Sequence, residues 1–321
     1  MLLFMARRIG WSCIVVVSVL VLGFGLLNLL PGDPALYLLP EAADPRHYAE
    51  IRQRFGLDRP VVERFWVYAG EIARGNLGNS LSQHRPVAEA ILERIPATLM
   101  LAAAALTVAL AGPLVGLLLG YLAPRHARME RTSFLLLLML TGLPPFLTGL
   151  VLILVFSLHL DLLPSQGMLS LRAAGEGYSQ LADGLAHVIL PGITLGIQPL
   201  AALARTTKAR ATEILAQDFI RTARAKGLGE AVILFFHVFK NAVPAPIALL
   251  GTSAGHWVGG AVVTETLFAW PGVGRLAVEA VLARDYALLL GVMMVSAVAV
   301  VLANMLADLL VAVVDPRVRR G

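Results

Sequence analysis

Residues 218–247 read DFIRTARAKGLGEAVILFFHVFKNAVPAPI; Arg221, Arg224 and Lys226 crowd against Gly227 and Gly229, and Phe235, Phe236 and Phe239 follow. These residue types at this spacing suit adhesion rather than bond-making: a basic tip and greasy faces to lay on an acidic protein or an anionic lipid surface. Before Gly227, Ile214, Leu215, Phe219 and Ala223 fall at helical spacing. Gly227 and Gly229 then break the helix as a C-cap or sharp turn would. After them Val232, Phe235, Phe236 and Phe239 form a second apolar face. The pattern predicts a short helix–turn–helix, either resting on the membrane surface or docking into a soluble partner.

Elsewhere the residues that could do chemistry are few. No GxxxxGK[ST] loop is present, because Lys208, Lys226 and Lys240 follow Thr, Ala and Phe. The chain therefore has no P-loop of its own for ATP. It carries no chain of Asp, Glu or His at mid-membrane depth, as ion-coupled carriers do; Glu265 and Asp308 fall near span ends, where interfacial solvation explains them. His256 lies inside an apolar run and reads as a packed or pore-facing side chain, not a metal ligand. There is no HExxH and no paired Asp at membrane depth, and only scattered serines, so no catalytic residues are assigned. Cys13 is the only cysteine, which excludes a disulfide framework and a cysteine metal cluster.

The elements that must position the adhesive segment are membrane spans. Of 321 residues 58% are hydrophobic and 15% charged, too little polar surface for a soluble domain. Runs without Asp, Glu, Lys or Arg cover Ile9–Gly32, Ile95–Pro124, Thr132–Leu160, Gly184–Ala204, Asn241–Thr264 and Tyr286–Ala307. Each reaches the roughly 20 residues a helix needs to cross hydrocarbon, and none alternates as a barrel strand would. The predicted fold is an all-α membrane protein with six transmembrane helices. The first run is longer than a signal-peptide core and leads into PGDP without a small-residue cleavage pattern, so 1–30 is read as a signal-anchor span.

Charge sets the orientation. With both termini inside, the inner segments hold 15 Lys+Arg against 6 Asp+Glu, and the outer ones 11 against 15. Basic excess belongs on the cytoplasmic side, which favours N-in/C-in. The formal charge of +5 then reports topology and gives no reason to invoke nucleic acid. The 218–247 segment falls inside, between spans four and five, tied to the membrane at both ends, unlike a DNA reader. Residues 31–94 form a periplasmic segment with helical stretches such as VVERFWVYAGEIA, and 95–321 a five-span core whose inner loop is 205–240. Further outer loops cover 161–183 and 265–285, the latter with WPG and GVG turns before a short amphipathic helix. Gly112, Gly116 and Gly120, and again Gly251, Gly255 and Gly259, recur every four residues, the spacing of close helix packing. Pro144–Pro145, Pro191, Pro244 and Pro246 are expected to kink or start helices.

The stretch TARAKGLGEAVILFFHVFKNAVPAPI resembles the cytoplasmic coupling loop of ABC-importer permeases, and within them the dipeptide/oligopeptide/nickel branch. The general pattern puts Glu-Ala-Ala ahead of the turn glycine; here those positions are Arg221, Thr222 and Ala223. The RTARAKGL form, with His237, Asn241 and Ala242 following, is the one that branch shows. PGDPA (31–35), GLDRP (56–60), LGNSL (77–81), RIPATL (94–99), HVILPGITLG (187–196), ETLFAWPGVGRL (265–276), RDY (284–286) and DPRVRR (315–320) carry the resemblance over nearly the whole chain. It implies a permease subunit of the bacterial inner membrane, without ATPase activity, importing di- or oligopeptides. Its partners would be a second related permease, two cytoplasmic ATPase subunits that bind ATP and Mg, and a periplasmic binding protein. No cofactor or metal is expected on the chain itself. It assigns Phe219, Arg221, Ala223, Arg224, Lys226, Gly227, Phe235 and Phe236 to ATPase coupling. Glu265, Trp270, Pro271, Gly272 and Arg275 would belong to the outer mouth and substrate pathway. Nickel, metal chelates and glutathione remain alternative cargoes; a secondary carrier or channel, or a membrane enzyme, are the readings from other classes.

Overall fold

The computed structural model describes residues 2–29, 58–170, 177–244, 246–247, 250 and 261–314. Helix α1 is Leu2–Leu29, α2 Val61–Ala73 and α3 Val87–Leu92, the last preceded by an antiparallel pair of two-residue strands, β1 Asn79–Ser80 and β2 Arg85–Pro86. Then follow α4 Ile95–Leu122, α5 Ala127–Gly142 and α6 Pro145–Leu152, which runs into a π-helical stretch Ile153–His159. Next come α7 Gly177–Leu215, α8 Asp218–Ala225 and α9 Glu230–Val232, with a second π-helical stretch at Ile233–Phe239. Helices α10 Val273–Leu282 and α11 Tyr286–Val314 complete the described chain. The described residues are all-α apart from the small strand pair.

Among the described residues, three stretches are long and apolar enough to cross a bilayer: Val87–Arg125, Leu181–Leu215 and Tyr286–Ala307. The run expected as a single span over 132–160 is instead two helices bent by 107°. Leu143 and Pro144 are both extended there, because a residue before proline is pushed out of the helical region and Pro145 can begin a helix but not continue one. The Gln198 amide donates to the carbonyls of Thr141 and Leu143, which the break leaves without helical donors. Span five, His256 and the Gly251–Gly259 repeat lie outside the described residues or largely so, as do PGDPA and the DPRVRR tail.

Two compact units divide the chain. One comprises Met1–Pro96 with Gly272–Val301. Its core gathers Val87, Ala90 and Ile91 of α3 with Leu276 and Ala280 of α10 and Leu288 and Val292 of α11. In the same unit Phe24 of α1 meets Phe65 edge-on and stacks with Tyr68 of α2. The Tyr68 hydroxyl is buried without a partner among the described residues, and burial pushes the phenol up to about 12.

The second unit comprises Ala97–Pro271 with Leu302–Gly321. Helices α4 and α7 touch backbone to backbone along the Gly112–Gly116–Gly120 stripe. A Cβ on Gly112 would stand 2.5 Å from the Leu200 carbonyl oxygen, one on Gly116 closer still to that of Ala204, and one on Gly120 2.8 Å from Ala211 Cβ. The four-residue repeat is thus a packing device, and α7 answers with its own: a Cβ on Gly196 would lie 2.6 Å from the Ala105 carbonyl oxygen.

Candidate functional site

The 218–247 segment is built on a Schellman turn. Helix α8 ends at Ala225 with Lys226 as its C-cap, and Gly227 follows with φ +78°. The Gly227 amide donates to Arg224 O at 2.9 Å and the Leu228 amide to Ala223 O at 3.2 Å, the paired bonds of that motif. Gly229 differs: it is extended (φ −66°, ψ 146°) and caps the start of α9. Arg224 spans the turn, its Nε 2.7 Å from Glu230 Oε1 and its Nη2 3.3 Å from Oε2. The Arg224 hydrogen bond holds the Glu230 carboxyl below its usual range, and the same bond raises the Arg224 guanidinium. Arg221 faces Asp218 at 3.4 Å on the exposed side. Two of the three basic residues expected to meet a partner therefore pair within the chain, while Lys226 is exposed.

The apolar faces differ from those a 3.6-residue period predicts. Ile220 and Ala223 point inward from α8, and Phe219 outward. After the turn, Ile233, Leu234 and Val238 are buried and Val232, Phe235 and Phe236 exposed, the last at 70%. The cause is the π-helical Ile233–Phe239: its wider turn brings residues five apart, Ile233 and Val238, onto one side. Ala223, expected on a docking surface, is instead in the core with Leu117 of α4 and Ala211 and Ile214 of α7. The outward face is Phe219, Leu228, Val232, Phe235 and Phe236. The segment is thus fastened to the ends of α4 and α7 on one side and open on the other. Near it, Lys208 of α7 reaches Glu130 (2.9 Å) and Ser133 (3.0 Å) of α5, tying the RHARMER loop to the same helix end.

The other expected site divides between the two units. In the larger one, Glu265 and Trp270 are fully buried. Thr98 Oγ1 donates to Glu265 Oε1 at 2.8 Å, and the Trp270 indole N–H to Ala97 O at 2.8 Å. Glu265 is therefore held by hydrogen bonding in the interior and not solvated at an interface, and Trp270, expected along the outer mouth, is a core side chain. The motifs RIPATL and ETLFAW meet through these two bonds. Phe268 O also accepts the Gly167 amide at 2.8 Å, fastening the 161–170 loop to the same cluster. Trp270→Phe keeps most of the buried volume and loses one hydrogen bond, so it is expected to cost about 1 kcal/mol. Trp270→Ala should cost about 3–5 kcal/mol through the cavity it opens. Thermal unfolding in detergent checks both. In the smaller unit, Gly272 caps α10 and Arg275 Nε pairs with Glu279 Oε1 at 2.9 Å, while Arg94 reaches the other oxygen at 3.5 Å.

Sequence reasoning missed Asp285. It is buried, accepting from Ser80 Oγ (2.6 Å), Ser82 Oγ (2.8 Å) and Ser82 N (2.9 Å), and it caps α11 by accepting the Leu288 amide at 3.0 Å. The motifs LGNSL and RDY are thus two halves of one junction. Burial alone would raise the carboxyl; the bonds from Ser80, Ser82 and Leu288 outweigh it and hold the group below its ordinary 3.8. A depressed folded value means that its contribution is complete above the ordinary carboxylate range and is lost as pH falls through the folded value. Asp285→Asn is expected to lower stability by about 2 kcal/mol at neutral pH, because an amide N–H₂ then faces serine donors. The difference from the unmodified chain should shrink in acid. Melting temperature against pH in detergent reads both.

The described residues contain no group of three or more His, Cys, Asp or Glu arranged to hold a metal. The arrangement is therefore one of fastened helices, an exposed adhesive loop and two separately buried carboxylates, Glu265 and Asp285. Residues 112–320 match the family described as binding-protein-dependent transport system inner membrane component, and residues 1–102 match that family's N-terminal region. The chain is 36% identical to the di/tripeptide transport system permease protein DppB of Pseudomonas aeruginosa, with 99% of each chain covered. It is 34% identical to the dipeptide transport system permease protein DppB of Escherichia coli K12, again over 99% of each. To the glutathione transport system permease protein GsiC of Escherichia coli O6:H1 it is 35% identical, covering 95% of this chain and 94% of that one.

Proposed function

The chain belongs to the binding-protein-dependent transport system inner membrane components, and from that membership we propose that it is the translocating permease of an ATP-driven importer of di- and oligopeptides. As a member it is a multi-pass protein of the bacterial inner membrane. The observation that carries the peptide reading is end-to-end similarity to two permeases named for di- or tripeptides. The relative named for glutathione supports a second reading, and glutathione is itself a tripeptide.

In this reading the chain crosses the membrane six times with both termini inside, which puts the 218–247 loop in the cytoplasm. Two ATPase subunits bind ATP and Mg; this chain carries no P-loop, so its part is mechanical. Phe219, Phe235 and Phe236 supply the exposed docking face, Lys226 its charge, and Gly227 with the Arg224–Glu230 staple keeps the turn rigid. Because Ile220, Ile233 and Val238 pack on Leu117 and Ile214, a push on that face is carried to α4 and α7. Paired with a second permease, the spans alternate between inward- and outward-facing states, each favoured by a different ligand. A periplasmic binding protein delivers the peptide to the outer side of the chain.

Uptake tests this. In an amino-acid auxotroph lacking the chain, growth on a dipeptide should return only with the intact gene, and labelled dipeptide should accumulate in an ATP-dependent manner. Equal growth without it rejects the peptide assignment. Labelled glutathione uptake then decides the second reading.

A further inference from the structure

We propose that α2 (Val61–Ala73) lies in the lipid–water interface beside the first span, with Val62 and Trp66 inserted at the headgroup boundary and Arg64 and Glu71 turned to water. Three observations carry this. The first is depth. Helix α2 covers α1 at Phe24, through Phe65 and Tyr68. Counting about 20 residues from Arg8 puts the far edge of the hydrocarbon near Asn28. Phe24 is four residues, about 6 Å, short of that edge. Interfacial helices bury their apolar side about 5–10 Å into this boundary.

The second is continuity. Val17 and Val21 lie on the same side of α1 as Phe24, further into the span, and remain 55% and 46% exposed. That stripe is apolar and open along a chain that resides in the inner membrane, and α2 sits at its end. The third is the pattern on α2 itself. Phe65, Tyr68 and Ile72 form the stripe turned toward the chain. On one flank of it are Val62 and Trp66, four residues apart and each 69% exposed. On the other are Arg64 and Glu71, seven apart. A helix with an apolar flank on the lipid side and a charged flank opposite is what an interface selects, and tryptophan is the side chain enriched at that level. The inference rests on the proposed reading of α1 as the first span; which leaflet α2 occupies rests on the N-in topology proposed above.

The test uses the assembled transporter in proteoliposomes. In a Cys13→Ser background, the sole native cysteine being removed, V62C, W66C and E71C are each labelled with an environment-sensitive NBD dye. Quenching is then measured with phosphatidylcholine doxylated high on the acyl chain, and with aqueous iodide. Labels at 62 and 66 are expected to be quenched by the doxyl lipid about threefold more than the label at 71, and iodide should show the reverse order. All three labels open to iodide and blind to doxyl lipid would overturn the proposal. So would labels at 62 and 66 shielded from both quenchers, alone or once the binding protein is added, because the flank would then belong to a protein partner.

Discussion

Gly116→Val is expected to remove most of the protein from the membrane fraction and, with it, nearly all uptake. The Gly116 position has no room for a first side-chain carbon: a Cβ would fall against the Ala204 carbonyl oxygen and the Thr207 Cβ. Neither is the far end of a flexible side chain, so the helices themselves must part. Adding methylenes to a packed site costs about 1–3 kcal/mol where neighbours can shift, and here they are backbone. Parting α4 from α7 also loosens the contacts of Gly112 and Gly120, one turn to either side. In a membrane this loss is not offset by lipid, since close van der Waals packing is itself what holds such helices together. Gly116→Ala should be milder than valine but still damaging. Gly10→Ala and Gly70→Ala, where nothing lies within 4 Å, should be neutral. Membrane-fraction abundance and melting in detergent read the series. Wild-type abundance for Gly116→Val would mean that α4 and α7 do not meet as described.

That stripe was visible in the sequence because its signal is local: three glycines at a fixed interval on one apolar run. The long spans at Ile95–Pro124, Gly184–Ala204 and Tyr286–Ala307 were visible for the same reason. The bend at Pro144 was half visible. The proline pair marked a kink, but absence of charge cannot say whether an apolar run is one helix or two at 107°. The inward face after Gly227 is not legible in the sequence, because the 3.6-residue count does not hold across the π-helical Ile233–Phe239, where Ile233 and Val238 share a side. Least legible were the buried carboxylates. Glu265 finds Thr98 and Asp285 finds Ser80 only after folding, across separations of 167 and 205 residues. A reading along the chain shows such a residue as a charge near a span end, and its burial depends on partners that no local pattern identifies.

The turn at Gly227 lends itself to a sharper experiment, because conformation and contact can be separated there. A Cβ at this position would meet nothing within 4 Å, so no side chain is excluded by space. What excludes most of them is the backbone, held at φ +78°. A residue other than glycine pays about 1–2 kcal/mol there, β-branched ones most and asparagine least. That is too little to unfold the protein, but each 1.4 kcal/mol is a tenfold change in the population of the turn. Gly227→Val is therefore expected to leave abundance unchanged and to cut peptide uptake about tenfold, whereas Gly227→Asn should stay near the unmodified rate. In the assembled transporter, Gly227→Val should also separate ATP hydrolysis from uptake, since a loosened turn yields to the push that the Arg224–Glu230 staple and the core behind Ile220 would otherwise carry to α4 and α7. Equal losses for valine and asparagine would show that the side chain itself disturbs a contact surface, and the rigid-turn account would fail. Full uptake by both would remove Gly227 from the coupling path altogether.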